Sequence, residues 1–297
     1  MRAILVSLLV LIAWIMPAGA AGTLRVAYAG SMGVVMDRFL GPAFAQANGV
    51  AYQGIGQGSY ALAHLIAGKK LQADVFVSVT SGPVTVLKDA GLIEQAVPLA
   101  STAMVIAYSP KSRFASALSS QTPWWQVLES PGLRFGRTDP KTDPQGRNII
   151  FTMLLAERYY HQPDLAQRIL GPFVYPAQIF SEPSLLSRLE AGQLDAASGY
   201  QSAVMSHHLP FVRLPDEINL SNPAMAEEWY SAVHFSLPGA GGKTATLSTQ
   251  PLVFYAAVLR NAENPDAASK FLQFMLSPEG QKMLEGNGYG TPMGGPL

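Results

Sequence analysis

Ser31 and Ser59 sit where side chains can do chemistry. Ala29-Gly30-Ser31-Met32-Gly33 and Gly54-Ile55-Gly56-Gln57-Gly58-Ser59 each follow a β-type stretch and open a helical pattern, with a serine near its first turn. A hydroxyl beside the free N–H groups of a first helical turn offers donors to an anion at the positive end of the helix dipole. Serine is equally an ordinary N-cap and glycine an ordinary turn residue, so each loop alone also has a purely structural reading. Neither loop is a phosphate-cradling G-x-x-x-x-G-K-[ST], because the lysine is missing.

A third loop, Arg137-Thr138-Asp139-Pro140 to Gln145-Gly146-Arg147, again leads into a helix. Asp143 there either caps the helix by accepting backbone N–H bonds or turns its carboxylate toward a ligand or metal centre. The fourth candidate joins the helix start Glu182-Pro183-Ser184 to Tyr200, at the end of the short strand Ala196 to Tyr200. A tyrosine there can simply pack, and a phenolic donor at a strand end also suits a cleft. Enzyme signatures are thin: there is no G-x-S-x-G, no H-E-x-x-H and no two-metal carboxylate cluster. His207 and His208 are adjacent on a helix, so they do not face one another and read as surface residues.

The elements that must position these residues follow an α/β rhythm. Strands are expected at Leu24 to Tyr28, Ala51 to Gln53, Asp74 to Val79 and Ala103 to Tyr108, with helices over Val34 to Asn48, Tyr60 to Ala67 and Pro83 to Ala90. The middle of the chain repeats the pattern: a strand at Leu133 to Gly136, a helix from Arg147 to Tyr160, a strand near Phe173 to Ile179, a helix over Pro183 to Ala191 and a strand at Ala196 to Tyr200. Phe211 to Leu220 reads as extended, and after Gly239 to Lys243 come another strand and two helices. The expected division is a signal segment 1–21, a first lobe 22–108 plus 212–297, and a second lobe 109–211.

Composition narrows the function. The 297 residues are 48% hydrophobic and 13% charged, with 20 Lys+Arg against 20 Asp+Glu and no cysteine. A chain of this kind builds a substantial core and is not expected to be disordered. With no thiol there is no disulfide, thiolate zinc site or cysteine nucleophile, and the balanced charge argues against nucleic acid as a partner. Arg2, the apolar run Ala3 to Met16 and the small residues Ala18 to Ala21 have the three parts of a cleavable export signal. The run is too short for a membrane span, which takes roughly 20 residues. An exported protein is the expectation.

Several stretches together resemble the molybdate/tungstate-binding proteins of ABC importers, within the periplasmic solute-binding superfamily. They are Ala29-Gly30-Ser31, Gly56-Gln57-Gly58-Ser59, Ala73-Asp74-Val75-Phe76, Phe135-Gly136-Arg137-Thr138-Asp139-Pro140 with Asp143-Pro144-Gln145-Gly146, Leu189-Glu190-Ala191-Gly192-Gln193-Leu194-Asp195 and Leu214-Pro215-Asp216-Glu217-Ile218-Asn219-Leu220-Ser221. The resemblance implies a two-lobed type II binding-protein fold, each lobe a mainly parallel sheet flanked by helices. It also implies a monomeric periplasmic binder that is not an enzyme and uses no cofactor, with an inner-membrane ABC permease as partner and molybdate or tungstate as ligand. Carried over, the ligand-binding residues are Ser31, Ser59, Asp143, Gln145, Glu182 and Tyr200, with backbone N–H groups near Gln145 and Glu182 among the donors. A donor-only site would suit a fully deprotonated dianion and reject monohydrogen phosphate, whose proton needs an acceptor. In the archaeal-type branch a second carboxylate precedes the tyrosine; here that position is Gly199, which favours a tetrahedral, hydrogen-bonded ligand. The rival readings are a binder of sulfate or a ferric complex, an exported enzyme using Asp139 or Asp143 with Tyr200, and a signalling module of the same fold.

Overall fold

In the computed structural model, which describes residues 22–238 and 244–297, the described residues build two larger sheets and one two-stranded sheet. The expected export signal and the Gly239 to Lys243 stretch lie outside the described residues. The first sheet has the order β2-β1-β3-β11-β4, formed by Ala51–Gln57, Thr23–Ala29, Val75–Val79, Val253–Val258 and Val97–Ser101. The second has the order β6-β7-β5-β8, formed by Phe135–Gly136, Ala196–Tyr200, Met104–Tyr108 and Phe211–Arg213. β2-β1-β3 and β6-β7 pair in parallel, as alternating strands and helices require, whereas β11 and β5 run antiparallel to both of their neighbours. Every residue of β3, β5 and β7 is buried, which is why they read as unbroken apolar or small-residue runs.

The chain crosses between the sheets twice, after β4 and before β11. The crossings lie side by side: the Thr102 N–H donates to the Leu252 carbonyl at 3.3 Å, and the Leu252 N–H to the Leu220 carbonyl at 2.8 Å. Lobe membership therefore differs from the division expected at 108 and 212. β5 and β8 pair with β7 in the second sheet, and the hairpin of β9 (Phe235–Pro238) and β10 (Thr244–Leu247) joins them, with the Phe235 ring 4.7 Å from that of Phe151. A buried apolar run states that it is a strand without stating which sheet takes it.

Three local expectations are corrected. The helix expected over Val34 to Asn48 is interrupted by a π turn, Met36–Leu40, in which the Gly41 N–H reaches back to the Met36 carbonyl. Pro42 follows at once; it lacks an N–H and its ring would press on the carbonyl four residues earlier, and the wider turn makes room. The strand expected at Phe173 to Ile179 is an irregular segment with a 3-10 turn at Pro176–Gln178. Pro176 removes a ladder donor, and the buried Arg137 guanidinium instead binds the carbonyls of Leu170, Pro172 and Phe173. Phe211 to Leu220 is extended only through β8 and then makes a helical turn, Asp216–Asn219, stabilised by Asn219 Nδ2 donating to the Leu214 carbonyl and to Asp216.

Two glycines bring β2 into place. A Cβ on Gly54 would fall 2.2 Å from Asp37 Oδ1, and one on Gly56 would fall 2.7 Å from the Tyr28 ring, which lies across both. Tyr28 in turn donates its hydroxyl to Asp37 at 2.6 Å, so the end of β2, and Ser59 just beyond it, is set by a ring that only glycine can accommodate.

Candidate functional site

The four helix starts singled out in the sequence meet between the two lobes. Ser31 lies in a 3-10 turn, Gly30–Met32, directly after β1, and its hydroxyl caps nothing. Ser59 is the first residue of the helix Ser59–Ala67, whose N-cap is Gly58, so its hydroxyl is not used for capping either. Both side chains are buried, at 3% and 1% exposure; Ser59 Oγ has no hydrogen-bond partner, and Ser31 Oγ makes no well-formed bond, although its hydroxyl lies near enough to the Glu182 carboxyl to favour its ionised form. Thr138, after β6 in the second lobe, resembles Ser31: it is 1% exposed, and its Oγ1 makes no well-formed bond but lies beside the Asp143 carboxyl. A buried hydroxyl left unpaired costs about 1–3 kcal/mol, so three without a well-formed bond around one cleft need an explanation.

Asp143 caps the helix Pro144–Tyr160, its Oδ1 accepting the Gln145 N–H at 2.9 Å. That bond satisfies the donor near Gln145 that the resemblance offers to a ligand. The Gln145 side chain is engaged as well: its Oε1 accepts from Ser198 Oγ at 2.9 Å and its Nε2 donates to Glu182 Oε1 at 3.0 Å. Glu182 opens the helix Glu182–Ala191 and reaches across the cleft, where Oε2 accepts the Ser31 N–H at 2.7 Å. Glu182 thus enters the site through its carboxyl. No carboxylate stands at Gly199, yet Asp143 and Glu182 form a buried pair close enough to act on each other's charge. Burial pushes both carboxyls up, Asp143 to about 6 and Glu182 well above its ordinary value, with the Asp143 charge adding to the latter.

Tyr200 is fully buried at the end of β7, its ring 6.3 Å from that of Phe254 in the first lobe. Its hydroxyl accepts a bond from Asn148 Nδ2 at 2.9 Å. Burial and then the charges of Asp143 and Glu182 raise its pKa, so the phenol keeps its proton and can donate it. Tyr289, near the C-terminal end, donates to the Ser31 carbonyl at 3.1 Å and fixes that turn. The lobes also touch at Gly58, where a Cβ would lie 2.7 Å from the Thr142 carbonyl oxygen and 3.1 Å from Asp143 Cβ, and where Ala61 N–H donates to that same carbonyl. Gly58, Thr138, Asp143 and Glu182 line a cavity of about 480 Å³ that leads to the carboxyl pair.

Sequence reasoning did not select Thr138, Asn148, Ser198 or Tyr289 as site residues. Two had a usable signal: Asn148 lies one helical turn after Gln145 on a helix otherwise buried by Ile149, Ile150 and Phe151, and Ser198 shares a strand face with Tyr200 two residues on. Tyr289 had none, because it arrives from the far end of the chain.

Buried donors contributed by two lobes joined through adjacent crossings define a two-lobed binding protein for a small solute. The chain belongs to the family of bacterial extracellular solute-binding proteins, which it matches over residues 24–290. It is 32% identical over 190 residues to an uncharacterized solute-binding protein from Petrotoga mobilis, covering 64% of this chain and 59% of that one. It is 30% identical over 208 residues to the molybdate/tungstate-binding protein WtpA of Thermococcus kodakarensis, covering 63% and 58%. The chain therefore matches under three fifths of the length of these curated relatives. Among solved structures, the periplasmic molybdate-binding protein of Azotobacter vinelandii aligns with a TM-score of 0.61 at 16% identity, over 91% of this chain and 100% of that one. The sulfate-binding protein SubI of Mycobacterium tuberculosis aligns with a TM-score of 0.56 at 14% identity, over 91% and 86%. At these identities the structural likeness is one of fold.

Proposed function

We propose that this protein is the exported binding component of an ABC importer and captures molybdate or tungstate between its lobes for delivery to an inner-membrane permease. The observation that carries the reading is the trio of buried hydroxyls without a well-formed bond, Ser31 and Ser59 from one lobe and Thr138 from the other, with the Tyr200 phenol free to donate. A dianion with four oxygens accepts from all of them, which repays their desolvation. Closure of the lobes around the ligand would give the form that a permease recognises, with no covalent chemistry. The name of the WtpA relative supports the choice of oxyanion.

The carboxyl pair favours a second reading. Asp143 and Glu182 add acceptors to what sequence reasoning treated as a donor-only site, so a protonated oxyanion such as monohydrogen phosphate also finds a partner for its proton. Isothermal titration calorimetry of ligand-stripped protein against molybdate, tungstate, sulfate and phosphate at near-neutral pH separates the two. Tight binding of the metal oxyanions with weak binding of phosphate supports the first reading; phosphate binding as tightly as molybdate overturns it.

A further inference from the structure

We infer that Arg147 and Tyr60 form a latch between the lobes: the guanidinium of the second lobe lies on the ring of the first, and the pair holds the cleft shut without touching the ligand. The inference deepens the function proposed above and rests on its reading of the cleft as the place where a solute is captured. Arg147 is the fourth residue of the helix Pro144–Tyr160, near the end where a cation opposes the helix dipole, so its own helix does not account for it. Its Cζ is 3.7 Å from the centroid of the Tyr60 ring, which comes from the helix Ser59–Ala67 of the first lobe. That is a close cation–π contact, and such a contact gains strength as its groups leave water. Burial is the leading influence on both partners, lowering the pKa of Arg147 and raising that of Tyr60.

Each partner is also held from its own side. Arg147 Nε donates to the Pro140 carbonyl at 2.7 Å, which fixes the guanidinium. A Cβ on Gly82 would fall 1.9 Å from the Tyr60 hydroxyl, so the ring is seated against a position where glycine leaves the room. The turn that offers Pro140 to Arg147 offers its Thr142 carbonyl to the Ala61 N–H at 3.1 Å, one residue beyond Tyr60. Neither Tyr60 nor Arg147 lines the cavity of about 480 Å³ that leads to the carboxyl pair; both line a separate one of about 170 Å³. The latch therefore acts on the lobes, and only through them on the ligand. A contact of this kind favours the closed form by roughly twofold to thirtyfold, which biases the lobes without locking them.

The test uses the absence of cysteine. Lys70→Cys and Ala177→Cys, exposed positions on the first and second lobes, carry a spin-label pair whose separation reports closure without any ligand. Tyr60→Leu and Arg147→Met are each expected to raise the open-to-closed ratio of the ligand-free protein roughly twofold to thirtyfold. The double variant is expected to open no further than either alone, because the same contact can be lost only once. Tyr60→Phe, which keeps the ring, is expected to stay as closed as the parent, and far-UV circular dichroism checks that every variant folds. Stopped-flow release of molybdate is expected to quicken by the factor by which a variant opens, since the ligand leaves as the lobes part. Folded Tyr60→Leu and Arg147→Met proteins as closed as the parent, effects that add in the double variant, an opened Tyr60→Phe protein, or unchanged release from an opened variant would each overturn the inference. The distance arm needs no oxyanion, so a failure of molybdate to bind the parent would sink the proposed function and leave this result standing.

Discussion

Replacing Ser59 by alanine should move stability and affinity in opposite directions. Ser59 Oγ is buried and bonds to nothing, and Gly58 rather than Ser59 caps the helix, so the substitution removes no contact that holds the ligand-free fold. It does remove a buried polar atom whose lost hydration costs about 1–3 kcal/mol. Taking the low end, to allow for the small space left behind, gives a gain of about 1 kcal/mol, or a Tm higher by about 2–4 °C for a chain of this size. The ligand meanwhile loses one hydrogen bond to a charged acceptor, worth about 1.5–3 kcal/mol, so the Kd for molybdate should rise about 10- to 150-fold. Differential scanning calorimetry of ligand-free protein and titration calorimetry with molybdate read the two effects separately. A variant that melts lower and binds as tightly as the parent would refute the reasoning, because Ser59 would then be a structural residue.

Three further outcomes are expected. Asp143 titrates at about 6 in the fold against 3.8 for a free side chain, so the folded state holds a proton that the unfolded chain releases between those values. Stability of the ligand-free protein should therefore fall as pH rises from about 4 to about 6, by no more than roughly 3 kcal/mol for this group. Asp143→Asn, whose side-chain oxygen can still cap Gln145, should flatten that slope in urea midpoints measured across the interval, and an unchanged slope would assign it elsewhere. Asp195, held at about 2 by Arg134, acts in the opposite sense, and only near the acid end of that interval, where the unfolded side chain is still partly protonated. Gly58→Ala should leave the fold intact, since its φ of −56° suits any residue, yet hold the lobes apart; small-angle scattering with saturating ligand should show a larger radius of gyration than the parent, and equal radii would contradict it. Arg137→Met should destabilise by at least about 3 kcal/mol in urea unfolding, because it strips a partner from three carbonyls and from Gln178 Oε1; a loss below 1 kcal/mol would mean that water replaces the guanidinium.

Much of this architecture was legible because short apolar strands between helical patterns leave few alternatives to an α/β fold, and because Gly-Ser loops mark helix starts by their own chemistry. Of the two readings of Asp143, the helix cap is what the structure shows, and the same residue lines the cavity. What was not legible depends on partners distant in sequence. That Glu182 acts through its carboxyl requires knowing that Ser31 sits opposite it, 151 positions away. The sheet that takes β5 depends on β7 and β8, and the π turn at Met36–Leu40 reflects how Pro42 is accommodated once the segment has to pack. Arg137, a cation in the loop that leads to Asp143, donates to three main-chain carbonyls and to Gln178, a role that residue type alone does not announce.

β11 lies between β3 and β4 in the first sheet, although some 150 residues separate it from β4 along the chain. The first lobe, which begins the sequence, is therefore the last to be completed during synthesis: until residues 253–258 have been made, β3 and β4 have no strand to join them. The strands of the second sheet all come from the stretch between the two crossings. A nascent chain so arranged keeps an unfinished sheet until β11 has been made, a delay that suits a protein which, on the reading above, must be threaded through a membrane before it folds.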